Sequence, residues 1–312
     1  MSISVVITTY NSERYVAQAL ESVLSQTCPA TEIIVVDNLS TDGTKEIVSS
    51  YGDRIKFMCA DKPGPPGYTR NMGIEAASGE YIAFLDSDDA WYPQKLEKQI
   101  DMMQHQAGLS FCHTYCDVIN EHSRIQFVRH LGAIPPTGEH LDVHIRRCLV
   151  TLSSMMVRRD VLVKERITFP TGKHDWTGEE YLFALKLMRN HPIGFIDQVL
   201  TQYRSCGDSI SGKLGWKIVP RNVPCCENIL RSPEYWSGLL PRRVPLTSLV
   251  DACVENSRHW RGRGYPSRAL WFCGKGLFYS PGSLILHIET AKSLFRGLIS
   301  KERNVQSGAP AN

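Results

Sequence analysis

Long apolar runs are missing from this chain: no stretch of about eighteen hydrophobic residues occurs, which excludes a helix that spans a bilayer. No C-x-x-C pair occurs among its ten cysteines, so the pattern of a zinc ribbon or a dithiol redox site is absent. Their scatter predicts reduced thiols, as in a cytosol, and leaves Cys112 and Cys116 open as metal ligands or as small buried hydrophobes. No G-x-G-x-x-G follows an apolar run, which argues against a dinucleotide enzyme. A glycine- and base-rich phosphate loop near the first apolar run is also missing, which argues against nucleotidyl transfer. The first seven residues lack a charged leader region and a small-residue cleavage site, and they read as a strand. What is left is a globular composition: 312 residues, 42% hydrophobic and 21% charged, enough for one large domain or two modest ones.

The net charge of +3 hides an asymmetry. Residues 1–211 hold 20 Lys and Arg against 26 Asp and Glu, whereas residues 212–312 hold 15 against 6. A basic end of this kind suits an anionic partner, a membrane surface or a nucleic acid, or else is a well-solvated helical surface.

Ser4-Val5-Val6-Ile7-Thr8-Thr9 and Glu32-Ile33-Ile34-Val35-Val36-Asp37 read as strands, and residues 55–58 as a short third. Between them, Ser12 is a candidate N-cap for a helix carrying Tyr15, Ala19, Leu20, Val23 and Leu24, and residues 44–51 look helical. A further helix near residues 69–77 is stopped by Gly79, and Tyr81-Ile82-Ala83-Phe84-Leu85 then delivers Asp86-Ser87-Asp88-Asp89. Continuous apolar strands alternating with amphipathic helices predict an α/β fold with a mainly parallel sheet covered on both faces. In such sheets ligands bind beyond the carboxyl ends of the strands, where Thr8 to Tyr10, Asp37 and the acidic cluster all fall. Three carboxylates at the mouth of a buried strand are costly unless something cationic or hydrogen-bonding uses them. A divalent ion carrying a nucleotide diphosphate is one user; a polar turn capping a helix near Trp91-Tyr92-Pro93 is the other. Farther on, residues 109–112 and 124–128 predict a strand pair, 153–157 and 194–203 look extended, and the segment after Trp176-Thr177-Gly178-Glu179-Glu180 looks helical. Beyond Gly212, helices are expected over 246–261, 266–278 and 284–299, with a disordered tail over 305–312.

Taken in order, Val6-Ile7-Thr8-Thr9-Tyr10-Asn11, then Ile34 to Thr44, then Thr69-Arg70-Asn71-Met72-Gly73-Ile74, then Gly79 to Asp89, then Trp176 to Glu180 and Tyr203-Arg204 resemble the family 2 glycosyltransferases. The resemblance covers about residues 3–211 and implies the GT-A fold, a Rossmann-like mainly parallel sheet with helices on both faces. The chain then divides into a GT-A domain over 1–211, a basic helical C-terminal region over 212–304 and the tail. By resemblance Thr8, Tyr10 and Asp37 line the base pocket, Arg70 contacts the nucleotide, and Asp86 faces the ribose or a metal water. Asp88 holds a divalent metal, Mg²⁺ or Mn²⁺, that bridges the diphosphate of a nucleotide-sugar donor, with UDP favoured. Glu180, with Glu179 as competitor, is the base that takes the acceptor's proton in an inverting displacement. The other reading of that pair is a helix N-terminus dressed with acid. Trp176 stacks on an acceptor sugar or is core. The sequence departs from the family pattern at Asn38, where a second aspartate is usual, at Glu180, where aspartate is usual, and at Cys206, where a histidine often stands.

The expected activity is transfer of a sugar to a hydroxyl of a glycan or lipid-linked saccharide. The basic end would hold the protein peripherally on the inner face of an anionic membrane, and no nucleic-acid partner is expected. The alternative is a non-catalytic nucleotide-sugar-binding module on the same fold, for which Asn38 and Cys206 are the motive.

Overall fold

The computed structural model describes residues 1–129, 137–138, 141, 150–171, 179–205, 226–227, 230, 243–262, 265–283 and 285–293. It divides into two compact units, one of residues 1–144 with 149–206, the other of 145–148 with 207–312.

The first unit is built on β1 (Ile3–Thr9), which lies between β2 (Glu32–Asp37) and β4 (Tyr81–Asp86), parallel to both. β3 (Lys56–Cys59) adds in parallel outside β2. Alternation along β1 explains the two covered faces. Ile3, Val5 and Ile7 join a core with Val16, Ala19, Leu20 and Val23 of α1 (Val16–Leu24) and Val48 of α2 (Thr44–Ser49). Val6 points the other way, to α3 (Pro66–Ala76), where a Cβ on Gly73 would overlap the Val6 side chain. The helix–strand approach there depends on that glycine.

β4 is followed by β5 (Ala90–Trp91), α4 (Lys95–His105), β6 (Phe111–Ile119), β7 (Ile125–Arg129), β8 (Thr137–Gly138) and β9 (Met156–Arg158). Then come α5 (Arg159–Glu165), α6 (Glu179–Asn190) and β10 (Ile193–Arg204). The described strands form one sheet in the order β3-β2-β1-β4-β9-β6-β10-β5, with β7 on β6 and β8 on β10. β9 runs antiparallel to β4 and β6, so the extended segment expected near residue 155 reverses the sheet's direction. Residues 152–154 form a 3₁₀ turn before it, where the sequence alone reads as extended. Phe84 meets Phe169 and Phe183 edge-on at 5.4 and 5.9 Å, and those two rings stack at 3.9 Å, which seats α6 on the sheet. The helix after β1 starts at Val16 without a side-chain cap, and Ser12 instead reaches Ser87.

In the second unit α7 (Arg243–Gly262) and α8 (Pro266–Tyr279) pair around Leu249, Ala252, Cys253 and Leu286, the last on a helix over 285–293. The first two fall on the helices expected over 246–261 and 266–278; the end of the one expected over 284–299, and the tail over 305–312, lie outside the described residues. No described helix is long and apolar enough to cross a membrane. No described cysteine forms a disulfide, and Cys112 is a fully buried thiol pushed up to about 12 by burial, which suits packing and not metal ligation.

Candidate active site

Register brings the candidate residues to one edge. Thr8 lies beside Asp86 and Thr9 beside Asp37, at the carboxyl ends of β1, β4 and β2. The loops beyond them interlock: Asn11 N–H donates to Ser40 Oγ at 2.8 Å, Ser12 N–H to Thr44 Oγ1 at 2.8 Å, and Ser12 and Ser87 hydroxyls meet at 2.7 Å. Tyr10 stands 58% exposed on this rim, its ring available to a ligand, and Thr8 is half-buried.

Asp37 is fully buried and turned into its own loop, accepting from the N–H of Ser40 at 2.9 Å and from the Ser40 hydroxyl. Each carboxylate oxygen keeps a second lone pair. Asn38 explains its own departure from the family pattern. Its amide donates to Gly64 O at 2.8 Å and its Oδ1 accepts from Gly64 N–H at 3.2 Å, a two-way clasp that a carboxylate cannot make. Leu39, next in line, has a φ of 63°, a left-handed value that these flanking bonds hold in place.

The acidic cluster does not cap a helix. Asp89 N–H closes a turn onto Asp86 O at 3.0 Å, β5 pairs with β10, and α4 begins at Lys95. Asp89 is an anchor: it accepts from Ser153 Oγ at 2.6 Å and from Arg204 N–H at 2.7 Å. Asp88 keeps its carboxyl half-buried while Arg204 Nε takes its backbone oxygen at 2.7 Å. Burial, and after it the charge of Asp86, pushes the Asp88 carboxyl up to about 6. Arg204 is itself 1% exposed, donating to Asn120 O at 2.8 Å and Gln18 Oε1 at 2.7 Å, with its guanidinium 4.3 Å from the Tyr15 ring.

Arg70 is 6% exposed and clasped by two carboxylates, Asp86 at 2.7 Å and Glu179. Burial works against its charge, but Asp86, Glu179 and Glu180 together hold its pKa raised. The acid pair opens α6, as an N-terminal reading expects, yet its members differ. Glu179 is 4% exposed and bound to Arg70. Glu180 makes no salt bridge among the described residues, and burial followed by the charge of Glu179 pushes it up to about 8. Trp176 and Cys206 lie outside the described residues.

Sequence reasoning missed the holding set, namely Ser153, Asp89 and Arg204. Asp89 was visible as the third acid of the run and Arg204 as part of Tyr203-Arg204, but neither pattern states a partner; Ser153 carries no signal at all. The donor set toward a cation is oxygen only. Among the described residues no three or more His, Cys, Asp or Glu are grouped to hold a metal. Asp86 and Asp88 offer carboxylate oxygen, the donor type that a hard ion such as Mg²⁺ takes.

Residues 4–163 match the family model described as glycosyl transferase family 2. The chain is 33% identical over 207 residues to an uncharacterized glycosyltransferase of Rickettsia felis, covering 66% of this chain and 33% of that one. It is 41% identical over 113 residues to the putative teichuronic acid biosynthesis glycosyltransferase TuaG of Bacillus subtilis, covering 35% and 45%. With the Escherichia coli UDP-Glc:alpha-D-GlcNAc-diphosphoundecaprenol beta-1,3-glucosyltransferase WfgD it shares 30% identity over 213 residues, 67% of this chain and 79% of that one. The match thus spans a third to a half of the length of the first two relatives. In fold, the chain is similar to S. aureus TarS 1–349 crystallised with UDP-GlcNAc, at a TM-score of 0.66 and 20% identity, covering 100% of this chain and 93% of that one.

Proposed function

Because the chain belongs to glycosyl transferase family 2, we propose that it moves a sugar from a nucleoside-diphosphate donor to an acceptor hydroxyl with inversion. The observation that carries this reading is Arg70. One buried guanidinium ties the acidic end of β4 to the acid pair of α6, so donor-side and acceptor-side carboxylates belong to a single site.

The donor's base fits the edge formed by Thr8, Tyr10 and Asp37, where the Tyr10 ring offers a face and buried Asp37, bonded to Ser40 and 3.9 Å from Lys45, would line the pocket's floor. Asp88, with Asp86, would hold a Mg²⁺ or Mn²⁺ ion, which supplies positive charge to the departing diphosphate. Glu180 is the base. With Glu179 committed to Arg70, Glu180 is the carboxylate open to an acceptor, and its raised pKa makes the ionised form, whose share grows toward pH 8, the stronger proton acceptor. The acceptor oxygen bonds the anomeric carbon as the bond to the diphosphate oxygen breaks. The hydroxyl proton passes to the Glu180 carboxylate, and the nucleoside diphosphate leaves with the bonding electrons. By the family resemblance Trp176 is the candidate residue for stacking on the acceptor sugar. The names of WfgD and of the TarS complex support a UDP-sugar, and WfgD and TuaG support a lipid-linked or polymeric glycan as acceptor. With such an acceptor the reaction would run at the cytoplasmic face of a membrane.

A thermal-shift panel of UDP-, GDP- and dTDP-sugars, each with and without Mn²⁺, tests the donor site by linkage. A UDP-sugar with metal is expected to raise Tm, and Asp88→Asn to abolish the rise. Glu180→Gln is expected to keep the shift and lose about 10²- to 10⁴-fold in turnover, measured as UDP release with an undecaprenyl-diphosphate sugar acceptor. No shift with any donor would sink the reading, and a shift with unaltered Glu180→Gln turnover would return the base to Glu179.

A further inference from the structure

Ten large apolar side chains stand exposed among the described residues, and five of them, Tyr265, Trp271, Phe278, Ile285 and Ile288, fall within residues 265–288. They are ordered, not scattered. On α8 the buried residues are Ala269, Cys273 and Gly276, and the opposite side carries Arg268, Trp271, Lys275 and Phe278 at spacings of three, four and three. Trp271 is 57% exposed and Phe278 77%. The helix over 285–293 buries Leu286, Glu289 and Ser293 and turns out Ile285, Ile288 and Lys292. A Cβ on Gly276 would come within 2.7 Å of Leu286, so the two helices pack closely there.

Charge decides what this apolar stripe faces. Residues 256–301 hold eight Lys and Arg and one acid, Glu289. Glu289 is 1% exposed and is shared by Arg258, Arg261 and Lys292, so cations outnumber the acid three to one there. Lys275 lies 4.8 Å from the Trp271 ring centre and pairs with Glu227 at 2.6 Å, and Arg268 lies 4.5 Å from the ring centre of Trp260. Aromatic and aliphatic side chains flanked by cations match the boundary of an anionic bilayer, where rings enter the headgroup layer and the cations meet lipid phosphates. A second copy would set Arg268 and Lys292 against like charges.

We propose that the outward face of α8, where Trp271 and Phe278 stand with Arg268 and Lys275, inserts into the headgroup region of an anionic phospholipid membrane. It deepens the membrane-side part of the functional reading by naming the surface, and rests on that reading only for the location of the acceptor. Vesicle binding needs no turnover, so it fails or succeeds independently of the donor assay.

The test is co-sedimentation of the full chain with phosphatidylcholine vesicles with and without phosphatidylglycerol. Binding is expected only with phosphatidylglycerol and should weaken with added salt. The double variant Trp271→Ser with Phe278→Ser should lose at least about tenfold in partitioning at unchanged Tm, while Phe127→Ser, exposed in the first unit, should not. Equal partitioning of the double variant and the parent chain would overturn the inference. So would self-association abolished by the double variant with no vesicle binding, which would make the stripe a contact between copies.

Discussion

A guanidinium as buried as that of Arg70 is stable only while its carboxylate partners remain, because each member of the cluster has given up water. Arg70→Met leaves Asp86 and Glu179 without their cation and is expected to cost about 3–5 kcal/mol, read as a lower denaturation midpoint at constant m. Arg70→Lys should recover only part of that loss, since one ammonium cannot present a planar fork to two carboxylates. A full recovery by lysine would show that charge alone holds the site together. Asn38 illustrates the opposite kind of departure. The two-way amide clasp on Gly64 gives its difference from the family pattern a structural reason.

At the scale of elements, the approach of α3 to β1 positions Arg70 and so the site. Gly73 is the contact point, three residues beyond Arg70 on the same helix. Gly73→Ala would drive a methyl into the Val6 side chain and is expected to cost about 1–3 kcal/mol through overpacking. The measurement is a thermal melt. An unchanged or raised Tm would mean that α3 can move off the sheet at no cost. The loop behind β4 has a comparable brace in Ser153, which accepts from Asp86 N–H at 3.0 Å and donates to Asp89. That brace comes from the turn before β9, the element whose direction the local pattern does not reveal.

For the whole molecule, buried titratable groups set opposing slopes of stability with pH. Glu180 is raised from 4.5 to about 8, so the folded state holds its proton after the unfolded chain has lost it. Its contribution is therefore complete below about pH 4.5 and is lost as pH rises toward about 8. Lys95 is fully buried, bonded to Gln99 Oε1 at 2.6 Å, and pushed by burial down to about 7 from 10.5. There the unfolded chain binds the extra proton, so this contribution to stability grows from about pH 7 toward pH 10.5. Glu180→Gln is accordingly expected to flatten the decline between about pH 5 and 8, and Lys95→Met the rise above pH 7. Denaturant midpoints across pH check both, and parallel curves for parent and variants would refute the assignment.

Much of the first unit was legible in the residues themselves. Strand and helix order, two covered faces, and the placing of Thr8, Asp37 and Asp86 to Asp89 at strand ends follow from apolar periodicity, which is local along the chain. The same holds for the helices at 243–262 and 266–279. Only the tertiary structure decided which acid of the 179–180 pair is committed to Arg70, which partners hold the acidic loop, and that β9 runs against its neighbours. Those outcomes depend on residues tens to more than a hundred positions apart meeting at hydrogen-bond distance and on how much water their meeting excludes. Neither quantity is carried by spacing or residue type. Lys95 makes the point most simply: the sequence shows a charged residue near a helix start, and only the packing around it removes the solvent that would keep it charged.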